Sequence, residues 1–206
     1  MPRPTCLFAL AGMTIGLAWP VAGADYSDPT WPCIQRKVEH LSVGLMWAYP
    51  VPEDRASGEL AREIDELGGA LSLRRVEVEE LRPQVEEFAA NHSGDPDVLG
   101  RVFKKTFSSL DARRTRIMGG IADFSQSQIA LSEQIDATRL EMDALMAKDD
   151  PEFDRVDALE EKLDWDQVIY TDRQRSITYL CETPQLIERR LFAIAQLLAV
   201  YVEEQG

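Results

Sequence analysis

The chain has 206 residues, with 22 Lys and Arg against 36 Asp and Glu, a formal net charge of −14. That length suits one sizeable domain. So acidic a chain is a poor generic binder of nucleic acid, and its surplus charge favours solubility.

Residues 1–24 read as a signal peptide. Arg3 supplies the positive start, Thr5 to Trp19 is mostly apolar, and Ala22-Gly23-Ala24 fits a small-x-small cleavage site. The expected product is periplasmic and begins near Asp25, with no membrane span in the mature chain, because no later stretch approaches about 20 uncharged residues. Cleavage removes Cys6 and leaves Cys33 and Cys181. In an oxidising compartment two such cysteines pair, here closing a loop of roughly 150 residues.

Residues 25–56 form an arm punctuated by Pro29, Pro32, Pro50 and Pro52, carrying Trp31, Trp47 and Tyr49. A short helix is expected from Ile34 to Trp47, and the aromatic residues are expected to pack on the helical body. Beyond the arm, residues 57–206 read as a three-helix coiled-coil domain. The first stripe, Leu60, Ile64, Leu67, Leu71, Arg74, Val78, Leu81, Val85 and Phe88, predicts one rod weakened at Gly68-Gly69 and kinked at Pro83. A turn follows at Asn91 to Pro96.

The second stripe is the strongest: Phe103, Phe107, Leu110, Arg114, Ile117, Ile121, Phe124, Gln128, Leu131, Ile135, Thr138, Met142 and Leu145. It predicts a helix over 97–147. Lys148-Asp149-Asp150-Pro151 ends it, and Asp150 with Pro151 is the expected start of the third helix. The third stripe runs from Val156 through Leu163, Tyr170, Ile177, Leu180 and Ile187 to Tyr201, with a bend or brief break expected at Cys181 to Pro184.

Short turns between long helices favour antiparallel neighbours, which places Gln128 near Tyr170 and Arg74 near Arg114. Like charges at the second pair need an acid between them, and Glu77, Asp111 and Glu188 are the candidates. Charge supports the packing: residues 53–91 hold eleven acids and five bases, whereas 97–120 hold six bases and two acids. The expected fold is therefore all-α, an elongated three-helix antiparallel coiled coil with a disulfide-tethered N-terminal arm.

Little in the chain speaks for chemistry. His40 and His92 have no metal-ligand spacing, there is no Cys-x-x-Cys pair, and no phosphate-binding loop is present. Asp149, Asp150, Glu152 and Asp154 gather carboxylates at a turn but lack the ligand order and glycine of a calcium loop. No catalytic residue, metal or cofactor is assigned. From Leu191 to Val202 only Gln196 is polar, so this last helix needs cover on several faces.

The arm is the first expected cover for that helix, and a partner protein or a membrane surface is the second. The candidate contact residues are Trp31, Trp47, Leu191, Phe192, Leu197, Leu198 and Val202. The expected function is that of an exported non-enzymatic interaction protein, a periplasmic scaffold, adaptor or accessory subunit of an envelope assembly. A helical chaperone holding apolar client segments is the alternative, and surplus heptad surface makes self-association a further expectation.

Overall fold

The computed structural model describes residues 28–203, so the proposed signal peptide lies outside the described residues. The regular structure among those residues is entirely helical, with no strand. The helices are α1 (Gly58–Leu71), α2 (Arg82–Asn91), α3 (Pro96–Met146) and α4 (Phe153–Ala199).

α3 starts where Pro96 occupies its first turn and the Asp95 carboxylate accepts from the Asp97 amide at 2.8 Å. That cap satisfies one of the amides a helix start leaves unpaired. Its 51 residues extend about 76 Å, and the 47 of α4 about 70 Å. The two run antiparallel. Arg114 meets Glu188, Gln128 meets Tyr170, Gln134 meets Asp166, and Glu141 meets Arg155, so positions climb one helix as they descend the other. α4 begins at Phe153, two residues later than Pro151 suggests, and Lys148 bridges the turn to Glu152 at 2.7 Å.

Two expectations change here. α4 continues unbroken through Pro184, which lies buried inside the helix. The ring leaves the Leu180 carbonyl without its usual amide donor, yet the seam residues on either side, from Ile177 to Ile187, keep the helix against α3. The first rod, by contrast, is replaced by two short helices. α1 stops at Leu71, where the Ser72 hydroxyl folds back on the Gly68 carbonyl at 2.7 Å. Arg190 of α4 then takes the carbonyls of Leu71 and Val76 at 3.0 and 2.8 Å, fixing the connecting loop. Arg74 is consequently exposed and far from a seam role. Pro83 sits in the first turn of α2, where its missing amide costs little.

Among the described residues, a third helical layer lies only at the end of the hairpin where α3 begins and α4 ends, its base. There α1 packs on α3, and Gly68 lets the helices close: a Cβ on it would stand 2.8 Å from the Lys105 side chain. The core holds Leu71, Val85, Leu99, Phe103, Leu110, Ile187, Leu191 and Leu198, all essentially without solvent contact. Gly94, at φ +59° in the turn between α2 and α3, is the second glycine the fold requires. Any side chain there would strike the Tyr201 carbonyl, and the Gly94 carbonyl accepts from the Glu203 amide at 3.0 Å. Beyond residue 125 of α3 the described residues add no third helix to the hairpin, and its seam narrows to Ile135, Thr138, Val156, Leu159 and Leu163.

Candidate functional site

The arm is not a helix. Apart from a single turn of 3-10 helix at Val43–Leu45, it lies along the hairpin in irregular backbone. Outside two short turns, in which its own amides bond to Asp28 O, Ser42 O and Val43 O, several of its carbonyls are taken by side chains. The Ser125 hydroxyl donates to Pro29 O at 2.6 Å, Trp31 Nε1 donates to Gln35 O at 2.7 Å, and the Arg114 guanidinium donates to Val38 O and Glu39 O. Ile34 and Leu45, which a helix would turn inward, are left exposed.

Arg114 is the most consequential polar group of the molecule. It is 1% exposed, yet its Nε donates to Glu188 at 2.7 Å while its other nitrogens hold the arm. One side chain therefore joins α3, α4 and the arm. Glu188 is the acid that Arg114 needs, and Arg74 plays no part.

Nearer the free end, the Cys33–Cys181 disulfide binds the arm to α4 across 148 positions, inside a small cluster with Trp31, Met118 and Ile121. The start of the arm is knotted by Asp28, which accepts from Lys37 at 2.8 Å and from Thr30 at 2.6 Å. The Lys37 ammonium, followed by the Thr30 donors, holds the Asp28 carboxyl down to about 2, below its ordinary 3.8.

These contacts decide which candidate residues face outward. Trp31, Trp47, Leu191, Leu197 and Leu198 are buried in the chain's own core, Trp47 stacked on Phe103 with ring centroids 5.6 Å apart. They are covered by the arm and by α1–α3, so as partner contacts they are corrected. Phe192 is half-exposed and Val202 partly so; these two remain reachable from solvent.

Between the arm and the hairpin an open cleft of about 470 Å³ is lined by Pro29, Pro32, Phe124, Gln128, Tyr170 and Ile177. Gln128 donates to the Tyr170 carbonyl at 3.1 Å, while its side-chain oxygen is buried with no partner among the described residues. A second cleft, of about 480 Å³ between α1 and α2, is acidic, with Glu63, Glu66 and Glu87 around His92. His92 Nε2 lies 2.9 Å from Glu63, and no nucleophile completes a catalytic arrangement there. His40 is exposed on the arm.

At the hairpin turn Glu152 pairs with Lys148, whose hydrogen bond lowers its carboxyl, and Asp149, Asp150 and Asp154 face solvent. Among the described residues no group of three potential ligands is placed to hold a metal ion. No described helix is long and apolar enough to cross a membrane.

Besides Ile34, Leu45, Leu73, Phe192 and Val200 elsewhere, solvent meets apolar surface along the hairpin and at its free end. Leu140, Met146 and Phe153 are exposed around its free end, and Trp165, Val168 and Tyr179 along α4. Reading the sequence by its most apolar seam passes over these residues, since they are out of phase with it. A second 3-and-4 spacing on α4 is the signal that finds them.

The class these features define is an all-helical, disulfide-stapled hairpin whose base is wrapped and whose far half carries no further helix among the described residues. Comparison with known proteins adds no relative: no family model, no curated protein and no solved structure matches the chain.

Proposed function

We propose that the chain is an exported, non-enzymatic interaction protein, a periplasmic scaffold or adaptor that offers the free end of its hairpin to a protein partner. The observation that carries this reading is the exposure of Leu140, Met146 and Phe153, at 71%, 50% and 61%, where no described residue of the chain covers them. The base, with its core and staple, serves as the anchor that holds such an end rigidly outward. A buried disulfide fits an oxidising compartment.

A photocrosslinking residue at position 140 or 153 of the tagged full chain, activated in intact cells, tests the reading. One dominant adduct of fixed stoichiometry is expected, and Met146→Glu should reduce its yield severalfold. No adduct at the free end, or the same adducts from a crosslinker at exposed Asp123, would sink the proposal. A chaperone would instead give many adducts and suppress aggregation of unrelated unfolded proteins.

A further inference from the structure

We infer that α4 carries a self-complementary seam through which two copies of the chain pair antiparallel. The seam is the stripe Trp165, Val168, Asp172, Arg175, Tyr179, Glu182 and Leu186. It keeps the alternating 3-and-4 steps of a coiled-coil face over 21 intervals, about 32 Å. All seven residues are exposed, and the stripe runs two residues out of phase with the buried or half-buried line Leu163, Tyr170, Ile177, Pro184 that faces α3.

Its flanks are as informative as its centre. The positions bordering the stripe from the second turn onward are Ile169, Ser176 and Thr183 on one side and Thr171, Thr178 and Gln185 on the other. These six side chains are uncharged in a chain that is 28% charged. Ser176 and Thr183 turn their hydroxyls back onto the carbonyls of Asp172 and Tyr179 in their own helix, at 3.1 and 3.0 Å. A second helix can thus approach without burying a charge at the flank or leaving these two hydroxyls unpaired. The apolar stripe ends at Leu186: its next position is the exposed, charged Arg189, beside Arg190, which holds the loop after α1.

Charge selects the occupant. Antiparallel coiled coils pair each a position with a d position of the opposite helix, and a two-fold interface must complement itself. With the axis midway between Asp172 and Arg175, each Asp172 meets Arg175 of the second copy, and each Val168 meets Tyr179. Trp165 then lies beside Glu182, within reach of its indole N–H. Sliding by one heptad in one direction sets Asp172 against Glu182; in the other, it sets Val168 against Asp172. Only the central register joins opposite charges twice and apolar groups twice. Within one chain Asp172 and Arg175 touch only loosely, at 3.3 Å and well exposed, so both are free to exchange partners. The described arm, Cys33 and the cleft beside Pro29 meet α4 at Cys181, Tyr170 and Ile177, beside the flank of Thr178 and Gln185, and no described residue of the arm covers the seven stripe positions, all of which are exposed.

A strip this narrow lies at the small end of specific interfaces, so association is weak and concentration-dependent. The inference stands apart from the partner reading, which uses the hairpin end. Sedimentation equilibrium of the purified oxidised chain tests it. The apparent mass should rise toward twice that of one chain by about 100 μM, as expected for so small an interface. Asp172→Arg alone and Arg175→Asp alone each set like charges together at both central layers, and each should weaken pairing at least about ten-fold.

An equimolar mixture of the two variants restores opposite charges at both layers and should regain the mass of a pair. Both substitutions lie on exposed positions, and unchanged helical circular dichroism would establish that folding is intact. A wild-type mass that stays at one chain throughout, pairing indifferent to the single reversals, or no recovery on mixing would each overturn the inference.

Discussion

At the base of the hairpin, α3 and α4 are wrapped by α1, α2 and the arm, and Leu99, Phe103, Ile187 and Leu191 lose all contact with water. Forty residues along, the same two helices hold only each other, over a seam interrupted by Thr138, Asp166 and Arg173. The contrast shows how one pair of long helices can serve two ends. Burial, a partly buried ion pair and a covalent link stabilise the first; the second has spare apolar surface because none of the described residues is folded against it. Rigidity at one end permits exposure at the other.

The largest way to break this contrast is to cut the staple. Replacing Cys33 and Cys181 by Ser should cost at most about 5 kcal/mol in the chain-entropy account of a loop this long, read as a lowered denaturant midpoint. A midpoint unchanged from the oxidised chain would mean the arm is held without it. Next comes a matched pair of core deletions. Leu191→Ala at the base should cost about 4 kcal/mol, and Leu163→Ala near the free end about 2, because a looser site collapses more easily onto the gap. Equal losses would erase the distinction between the ends.

Arg114→Met sharpens the account of the base itself. It strands Glu188 and two arm carbonyls, but Glu188 is 30% exposed and can rehydrate. The expected cost is about 2 kcal/mol, below the loss typical of breaking a fully buried pair. Hydrogen exchange should rise most in the arm around Val38 and Glu39.

The smallest effect is acid release of the arm. The folded Asp28 carboxyl is depressed, so its contribution is complete above its ordinary 3.8 and disappears as pH falls toward about 2. Trp31 fluorescence should report a change across that window. Asp28→Asn, which cannot titrate, should flatten it, and a change persisting in that variant would assign it to another carboxyl.

Much of this was legible in the residues. The seams of α3 and α4 follow the heptads from Phe103 to Leu145 and from Val156 to Leu198, and the Cys33–Cys181 pairing is the one expected of the two cysteines that lie beyond the proposed signal peptide. Gln128 also meets Tyr170, although through its backbone carbonyl. The first rod was illegible because its stripe continues past Leu71, while Ser72 and Arg190 terminate the helix through contacts that periodicity does not carry. The arm misleads for a related reason. Its apolar spacing suits a helix, but Arg114 and Ser125 reward exposed carbonyls.

The stripe from Trp165 to Leu186 is half polar, so hydropathy hides it. It becomes visible only once the face turned to α3 is known. Pro184 similarly looks like a stop and is tolerated because the seam on both sides of it holds.

The covalent bond between Cys33 and Cys181 also gives the molecule a topological property. The exposed turn at residues 147–152 is the natural place for a protease to enter. A single cut there yields two pieces that stay one molecule, because the arm belongs to the first piece and Cys181 to the second. Such damage is silent until a reductant arrives. A nicked sample would run as one band on a non-reducing gel and as two after dithiothreitol.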